Sequence, residues 1–355
     1  MTKQGEDISR FKDIVYTPRY AKGFEIMADE GGNMLLRVTQ PWQGMAPQPQ
    51  TLAIFKDGVA ANYTGEHTLR HPQRIVCMSS SHIAMLDALG LSSTIVAVSG
   101  KRYVMTEGVA DNPEVADIGY DSNLDYERLI TLRPDLVLMY GVSAEDTSVT
   151  SRLRTMGIPY IYLGDYTEQS PLGKAEWLVA VAHIMGQGER GVEIFNAIAE
   201  RYNAIKQSVT PYDIHPTVML NTPYQDIWYM PSDKSYIVQL IEDAGGAYIY
   251  KGKNTTEASC AISIEEALNL VGRADIWLNV GQCTTLDELR TAAPLFAEME
   301  VVTQGHVYNN NRRRTPAGGS DFWESAIVNP DIVLNDMVRI MQLKSDSLYY
   351  HHKLN

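Results

Sequence analysis

Short apolar runs alternate with amphipathic segments along most of the chain, which predicts strands that alternate with helices. Residues 124–141, LDYERLITLRPDLVLMYG, show the pattern most clearly. We interpret residues 126–131 as a short helix with an inner face of Leu129, Ile130 and Leu132, and the apolar residues 136–140 as a buried strand. Residues 262–281 repeat the same order, and each copy has a glutamate near its helix start, Glu127 and Glu265. Two copies in opposite halves of the chain predict two lobes of related design.

The segment from residue 74 to residue 164 continues the alternation. Residues 74–78, 94–98 and 158–163 are apolar enough to form buried strands, and Ser79 is a suitable N-cap for a helix that ends at Gly90. Strands that alternate with short helices predict an α/β fold with a parallel, doubly wound sheet.

Four regions are predicted along the chain. Residues 1–70 form a β-rich extension that packs on the first lobe, because apolar runs flank the turn sequence EGGN at residues 30–33. Residues 71–170 form the first α/β lobe, residues 171–187 a long helix, and residues 188–355 the second lobe. The polar tail at residues 349–352 is expected to be frayed.

Composition restricts the class of protein. The chain has 355 residues, of which 45% are hydrophobic and 21% charged, as in ordinary globular proteins with two domains. A net charge of −13 argues against nucleic acid as a partner. The three cysteines lack metal or redox spacing, and we expect Cys77 to be a buried apolar residue. The chain shows no run of about 20 apolar residues that would span a bilayer and no secretory signal as written.

No enzyme motif emerges from the sequence. Glycine-rich nucleotide loops, the nucleophile elbow and the zinc-protease motif are all missing. The histidines are scattered without ligand spacing, so we expect no catalytic residue, no resident metal and no cofactor. His82 either supports the start of the helix after Ser79 or reaches a ligand.

Several segments together resemble the binding proteins of ABC importers for iron chelates and cobalamin. They are RIVCMSSSHIAMLDALG at residues 74–90, the two repeat copies, and GGSDFWESAIVNPDIVLNDMVRIM at residues 318–341. The resemblance covers about residues 70–345 in order. It implies two Rossmann-like lobes with parallel sheets, joined by one rigid helix at residues 172–185. It also implies that a ligand binds in a cleft between lobes, at the carboxyl ends of the strands.

The resemblance further implies a permease partner in the membrane. Glu127 and Glu265 would be the exposed acids that dock on permease arginines, although a carboxylate at a helix start is also favoured by the helix dipole alone. Proteins of this kind are exported to the periplasm or held at the cell surface by a lipid anchor, so we expect that an export signal was removed.

Aromatic and basic residues after the predicted strands are the candidate ligand contacts. The main set is Tyr103, Tyr120, Tyr140, Tyr224, Trp228, Tyr229, Arg312 and Arg313; Lys101, Arg102, Gly141, Tyr166, Lys253, Asn309, Asn310, Asn311 and Arg314 are adjacent. Aromatic rings stack on large conjugated chelates and guanidinium groups bind anionic ones, while half-buried packing and a solvated loop are the simpler explanations. We predict capture of an iron–siderophore, haem or corrinoid. The alternatives are a small oxyanion such as molybdate at the helix start of residues 79–82 and a cytosolic α/β enzyme or cofactor scaffold.

Overall fold

The computed structural model describes residues 8–43, 49–60, 63–120, 123–142, 144–209, 215–224, 227–252, 259–344 and 346–355. The chain divides into two compact units. The first comprises Met1–Glu168 with Leu172–Asn196, and the second comprises Gln169–Pro171 with Ala197–Asn355. The division therefore falls inside the helix Gly188–Ser208. The helix Pro171–Ile184, which we expected to join the two lobes, lies mostly in the first unit.

The first unit begins with a five-stranded sheet. Its strands are β1 (Asp13–Tyr16), β2 (Phe24–Ala28), β3 (Met34–Val38), β4 (Gln50–Phe55) and β5 (Glu66–Leu69), which are neighbours in chain order. The first four pair antiparallel, and β4 pairs parallel with β5. One face packs around a small core that includes Phe11, Leu35 and Phe55. At the β2–β3 turn, Asp29 accepts a hydrogen bond from the backbone N–H of Asn33 at 2.9 Å.

A parallel sheet forms the centre of the first unit. Its strands are β6 (Ile75–Cys77), β7 (Ile95–Val98), β8 (Ala116–Asp117), β9 (Leu136–Met139) and β10 (Tyr160–Tyr162), in the order β10-β9-β6-β7-β8. The helices are α1 (Ser80–Ala88), α2 (Glu107–Ala110), α3 (Tyr126–Leu132), α4 (Thr147–Met156) and α5 (Pro171–Ile184). Every strand pair is parallel, which confirms the predicted α/β class.

The second unit contains another central sheet. Its elements are α6 (Gly188–Ser208), β11 (Thr217–Leu220), β12 (Trp228–Pro231), α7 (Tyr236–Asp243), β13 (Ala247–Tyr248), β14 (Ser259–Ile262), α8 (Ile264–Val271), β15 (Ile276–Leu278), α9 (Leu286–Ala292), α10 (Glu300–Thr303), β16 (Val307–Asn309), α11 (Pro330–Met341) and β17 (His352–Lys353). The order is β13-β11-β15-β16-β17, with only β17 antiparallel to its neighbour. Strands β12 and β14 form a separate antiparallel pair. Among the helices of the described residues, none is both long and apolar enough to cross a membrane.

The sequence repeat corresponds to α3–β9 in the first unit and α8–β15 in the second. Asp125 caps α3 by accepting from the N–H of Arg128 at 2.9 Å, and Ser263 caps α8 by accepting from the N–H of Glu266 at 3.1 Å. Side-chain caps of this kind satisfy N–H groups that have no partner within the helix. The predicted helix starts therefore agree with the structure to within a residue or two.

The aspartate before each repeat strand holds the entry of a neighbouring strand. Asp135 Oδ2 accepts from the backbone N–H of Arg74 at 2.9 Å, just before β6. Asp275 Oδ2 accepts from the backbone N–H of Thr217 at 2.7 Å, at the start of β11. The shared aspartate is thus a structural residue that joins two parallel strands at their amino ends.

Two buried carboxylates hold the N-terminal segment of the first unit. Glu176 of α5 accepts hydrogen bonds from the backbone N–H groups of residues 19–21 and from the Tyr16 hydroxyl, at 2.6–2.8 Å. Glu168 accepts from the N–H groups of residues 22 and 23, both at 2.9 Å, and from the indole of Trp177 at 3.1 Å. Five successive backbone N–H groups therefore point at two carboxylates.

The C-terminal tail is ordered, which corrects the expectation that it is frayed. Asp336 of α11 is fully buried and accepts from the backbone N–H groups of Tyr349, Tyr350 and His351 at 2.8–3.0 Å. The next residues form β17 at the edge of the second sheet. The sequence suggested fraying because the tail's partner, Asp336, lies in a different element.

Candidate functional site

Tyrosines follow four parallel strands of the first unit. Tyr103 comes after β7, Tyr120 after β8, Tyr140 after β9 and Tyr166 after β10. The carboxyl ends of parallel strands meet at one edge of a sheet, so these side chains lie along the same edge. Tyr120, Tyr140 and Tyr166 are exposed and Tyr103 is half-buried. The first unit therefore presents an aromatic edge, and the role of these tyrosines in ligand binding stays a prediction.

Arg102 joins two of these tyrosines. The rings of Tyr103 and Tyr120 lie 6.3 Å apart between centroids at 69°. Arg102 Nη2 donates to the Tyr103 hydroxyl at 2.7 Å, and the guanidinium carbon lies 4.7 Å from the centroid of that ring. The hydrogen bond to Tyr103 raises the pKa of Arg102. The three side chains form a cationic aromatic cluster at the surface.

Lys101 was a candidate ligand contact, but the structure gives it internal partners. Its Nζ donates to the carbonyl oxygens of Asn112 and Val115, the second at 2.9 Å, and its backbone N–H donates to Asp117 at 3.1 Å. An ammonium group with two internal carbonyl acceptors holds the loop before β8.

The helix start after β6 already has an internal carboxylate beside it. Ser79 caps α1 as predicted, and His82 is fully buried and does not face solvent. His82 Nε2 lies 3.7 Å from Oδ1 of the buried Asp165. Burial would raise the pKa of Asp165, but His82, together with Lys174 and Ser81, outweighs burial and lowers the pKa. A negative charge is therefore already stabilised at this helix start.

Trp228 lies in the core of the second unit, which corrects the expectation that it faces a ligand. It has no exposed surface, its Nε1 donates to the carbonyl of Leu220 at 2.8 Å, and its ring stacks on Trp277 at 5.7 Å. Successive residues of a strand point to opposite faces, so the next residue, Tyr229, is exposed. Tyr224 is the most exposed of the candidate tyrosines, at 67%. Lys253, another candidate, lies outside the described residues.

The asparagines after β16 hold a neighbouring loop. Asn309 Nδ2 donates to the carbonyls of Gly281 and Cys283 at 2.9 and 2.7 Å. Asn311 donates to the same carbonyl of Cys283 at 3.3 Å, and its Oδ1 lies 2.7 Å from His352 Nε2. These amides fix the loop after β15 against the loop after β16, at the carboxyl edge of the second sheet.

Two of the three arginines at residues 312–314 have internal partners. Arg312 donates to the carbonyl of Leu348. Arg313 pairs with Asp321 at 2.6 Å and lies 4.6 Å from the ring centroid of Tyr349. Arg314 is exposed, and its guanidinium makes no hydrogen bond or ion pair to the residues that the structure describes. Arg314 therefore remains the most available cation of this loop, and Arg313 keeps part of its surface exposed.

Glu127 and Glu265 hold equivalent positions in the two units. Each is the second residue of its helix, α3 or α8, and each is exposed. Within the described residues neither carboxylate is engaged by a hydrogen bond or an ion pair.

Trp42 was not singled out from the sequence but lies at the aromatic edge. Its ring is half-buried and meets Tyr162 of β10 edge to face, with 5.5 Å between centroids. The backbone N–H of Gln43 donates to the carbonyl of Val142, just after β9, at 3.0 Å. Glycines directly after two strands, Gly141 and Gly164, could have indicated from the sequence that another segment packs there. They leave space for residues 40–43. In the described part of the chain, no three His, Cys, Asp or Glu side chains come together as a metal site.

Comparisons with known proteins agree with this architecture. The sequence profile of the periplasmic binding protein family matches residues 75–311. An uncharacterized lipoprotein of Methanocaldococcus jannaschii is 22% identical over 93% of this chain and 83% of its own length. The Fe(3+)-citrate-binding protein of Bacillus subtilis is 20% identical over 68% of this chain and 74% of its own.

A solved structure supports the fold. A periplasmic heme binding protein from Pseudomonas aeruginosa has a TM-score of 0.58 at 16% identity, with 80% of this chain and 98% of that one covered. At that identity the likeness concerns the fold alone. The family profile spans most of both α/β units, from β6 to the loop after β16. The chain therefore belongs to the periplasmic binding protein family.

Proposed function

We propose that the protein is the extracytoplasmic substrate-binding component of an ABC importer and that it captures a metal chelate without altering it covalently. The proposed ligands are a ferric chelate, haem or a corrinoid. A relative described as a lipoprotein supports a lipid-anchored location outside the cytoplasm. Relatives and structural neighbours that bind ferric citrate and haem support the ligand class.

The aromatic edge of the first unit is the observation that carries the ligand class. Tyr120, Tyr140 and Tyr166 follow three parallel strands and are exposed. Tyr103, which follows a fourth strand, is half-buried and packs against Tyr120. Rings at a rigid sheet edge provide large apolar contact area at little cost in side-chain entropy, while the hydroxyl groups orient a ligand. A small oxyanion site would instead need several hydroxyl and amide donors that point at one position.

The second unit has exposed charged and aromatic candidates of its own. Arg314 and the partly exposed Arg313 suit carboxylates or phosphates on an anionic chelate. Tyr224 and Tyr229 are the exposed aromatic side chains of that unit among the candidates. We therefore assign the ligand contacts to Tyr103, Tyr120, Tyr140, Tyr224, Tyr229, Arg313 and Arg314.

The oxyanion alternative is the weaker candidate. Its expected site, the start of α1, lies beside the buried carboxylate of Asp165, whose charge His82 and Lys174 stabilise. A second anion at that position would be repelled by the first.

Glu127 and Glu265 would dock on the permease. Their matching positions at the second residue of two equivalent helices support one acidic contact per unit. The helix dipole also favours an acid there, so position alone does not separate docking from helix stabilisation.

Calorimetric titration tests the ligand class. The purified protein is titrated with a ferric catecholate, a ferric hydroxamate, ferric citrate, haemin and cyanocobalamin. We expect saturable binding of one of them at micromolar Kd or tighter, about 8 kcal/mol. Tyr140→Ala should weaken that binding about tenfold, whereas Leu69→Ala, a change of an apolar residue that is 61% exposed and outside the assigned set, should leave it unchanged. Binding of molybdate with no response to any chelate would contradict the proposal.

A further inference from the structure

The N-terminal sheet reaches the carboxyl edge of the first parallel sheet through residues 40–43. The N–H of Gln43 donates to the carbonyl of Val142 after β9 at 3.0 Å. The Thr167 hydroxyl, in the turn after β10, donates to the carbonyl of Gln40 at 3.3 Å. The segment is therefore attached to the loops that follow two adjacent strands of the aromatic edge.

Two glycines make room for this segment. A Cβ at Gly141 would lie 3.3 Å from Cβ of Trp42 and 3.1 Å from the ring of Tyr162, which is tighter than ordinary contact. A Cβ at Gly164 would collide with the carbonyl oxygen of Gln40. Since Gly164 has a φ of −94°, space and not backbone conformation requires glycine there. The ends of β9 and β10 are thus shaped to receive the N-terminal segment.

Trp42 carries an indole to this edge. One side of the ring meets Tyr162 at 5.5 Å and 83° and packs against the core of the unit, while part of its surface stays exposed. Gly141, where an added Cβ would lie 3.3 Å from Cβ of Trp42, directly follows Tyr140, a proposed ligand contact that is 40% exposed. An indole held edge to face in this way keeps a fixed orientation.

The chain just before the segment is also fixed, because the N–H of Thr39 donates to the carbonyl of Gly23 at 2.8 Å. Glu176 and Glu168 accept the backbone N–H groups of residues 19–23, so the chain that leads into β2 is tied to the region of α5. A contact residue that is already ordered loses little entropy when a ligand binds. Trp42 is therefore preorganised at the edge of the site.

We propose that Trp42 is a ligand-contacting residue and that the N-terminal sheet takes part in recognition of an aromatic or conjugated part of the chelate. The inference rests on the proposed function, because it assumes that a chelate binds at this edge. The indole forms one wall of the contact surface that the first unit offers, at the end of β9 where Tyr140 also lies.

Titration of variants with the panel ligand that binds wild type tests the assignment. Trp42→Ala should weaken binding about tenfold, and Trp42→Phe should recover most of the loss because it keeps an aromatic ring. Ile14→Ala is the matched control, since Ile14 lies on the same sheet, is apolar and is 72% exposed. Ile14→Ala should leave the affinity unchanged.

Hydroxyl-radical footprinting of the wild-type protein gives a second measurement that needs no variant to fold. Bound ligand should slow oxidation of Trp42 several-fold while Ile14 reacts at its original rate. If wild type binds but both Trp42 variants match it and Trp42 is not protected, the inference is wrong and the proposed function stands. If wild type binds no panel member, the proposed function fails and the inference fails with it. Should Trp42→Ala lose its fold, Trp42→Phe and the footprint decide.

Discussion

Each unit fastens one end of the chain with a buried carboxylate on a helix. Glu176 of α5 accepts three successive backbone N–H groups, those of residues 19–21, and Asp336 of α11 accepts three from residues 349–351. The additional donor differs, because it is the Tyr16 hydroxyl in the first unit and the His351 ring in the second. The same arrangement of backbone donors thus includes a phenol in one unit and an imidazole in the other.

The two carboxyl edges differ in a related way. Tyrosines dominate the edge of the first unit, whereas asparagines and arginines follow β16 in the second. In the first unit the fastened terminal segment leads to Trp42 at the edge. In the second unit the fastened tail supplies internal partners to Arg312 and Arg313. The N-terminal segment thus adds the surface of Trp42 to the edge of the first unit. The C-terminal tail instead engages Arg312 and Arg313 at the edge of the second unit.

Charge reversal at the equivalent glutamates should have the largest effect. The double variant Glu127→Arg with Glu265→Arg is expected to abolish uptake in cells while ligand affinity stays within about twofold, because both residues are exposed. Uptake of the labelled ligand and calorimetry measure the two quantities.

Glu114→Arg with Glu298→Arg changes the net charge by the same amount at exposed positions and serves as the control. Normal uptake by the docking variant would contradict permease docking. A fall in its affinity would instead mean that the two acids lie near the ligand.

Removal of the Glu176 or the Asp336 side-chain carboxylate should lower the free energy of unfolding by about 3–5 kcal/mol, since three backbone N–H groups lose their acceptor. Urea unfolding of Glu176→Ala and Asp336→Ala measures the loss. Hydrogen exchange should increase at residues 19–21 in the first variant and at residues 349–351 in the second.

Asp346→Ala is a suitable control because its side chain is 78% exposed, and it should cost less than about 0.5 kcal/mol. A loss no greater than that control in either carboxylate variant would show that its terminal segment is not held as described.

The smallest effect concerns pH and, in the second unit, comes from His352. Burial, with smaller contributions from His351, Arg314 and Arg312, lowers the pKa of His352. The folded protein therefore keeps this ring neutral, while the unfolded chain binds a proton below about pH 6.5. Stability from this site is present above that pH and falls as the pH drops below it.

His352→Gln keeps a donor for Asn311 and removes the titration, so it should reduce the loss of stability below about pH 6.5. Unfolding free energies at several pH values measure the slope. An unchanged slope in the variant would mean that another group causes the pH dependence of stability.

Local signals predicted much of the fold. The caps of α1, α3 and α8 and the apolar runs of β9 and β15 depend on neighbours in sequence, and the structure agrees with those predictions to within a few residues. The order of the elements also placed most candidate side chains at the carboxyl ends of strands, since that follows from parallel topology.

Contacts between residues distant in sequence explain what was missed. Trp228 is internal because it alternates with Tyr229 on β12 and because the carbonyl of Leu220 accepts its indole N–H. The tail is ordered because Asp336, in another element, supplies an acceptor. Trp42 was overlooked because its position depends on the space left by Gly141, about a hundred residues later in the chain.

The ladder of amides at residues 19–23 also defines how the protein can be shortened. The family profile begins at residue 75, and a recombinant fragment cut there would retain Glu168 and Glu176 without the N–H groups that solvate them. Two carboxylates would then face either an apolar surface or water that the fold was not shaped to admit. We therefore expect a stable fragment to begin before residue 19, well ahead of the start of the family profile.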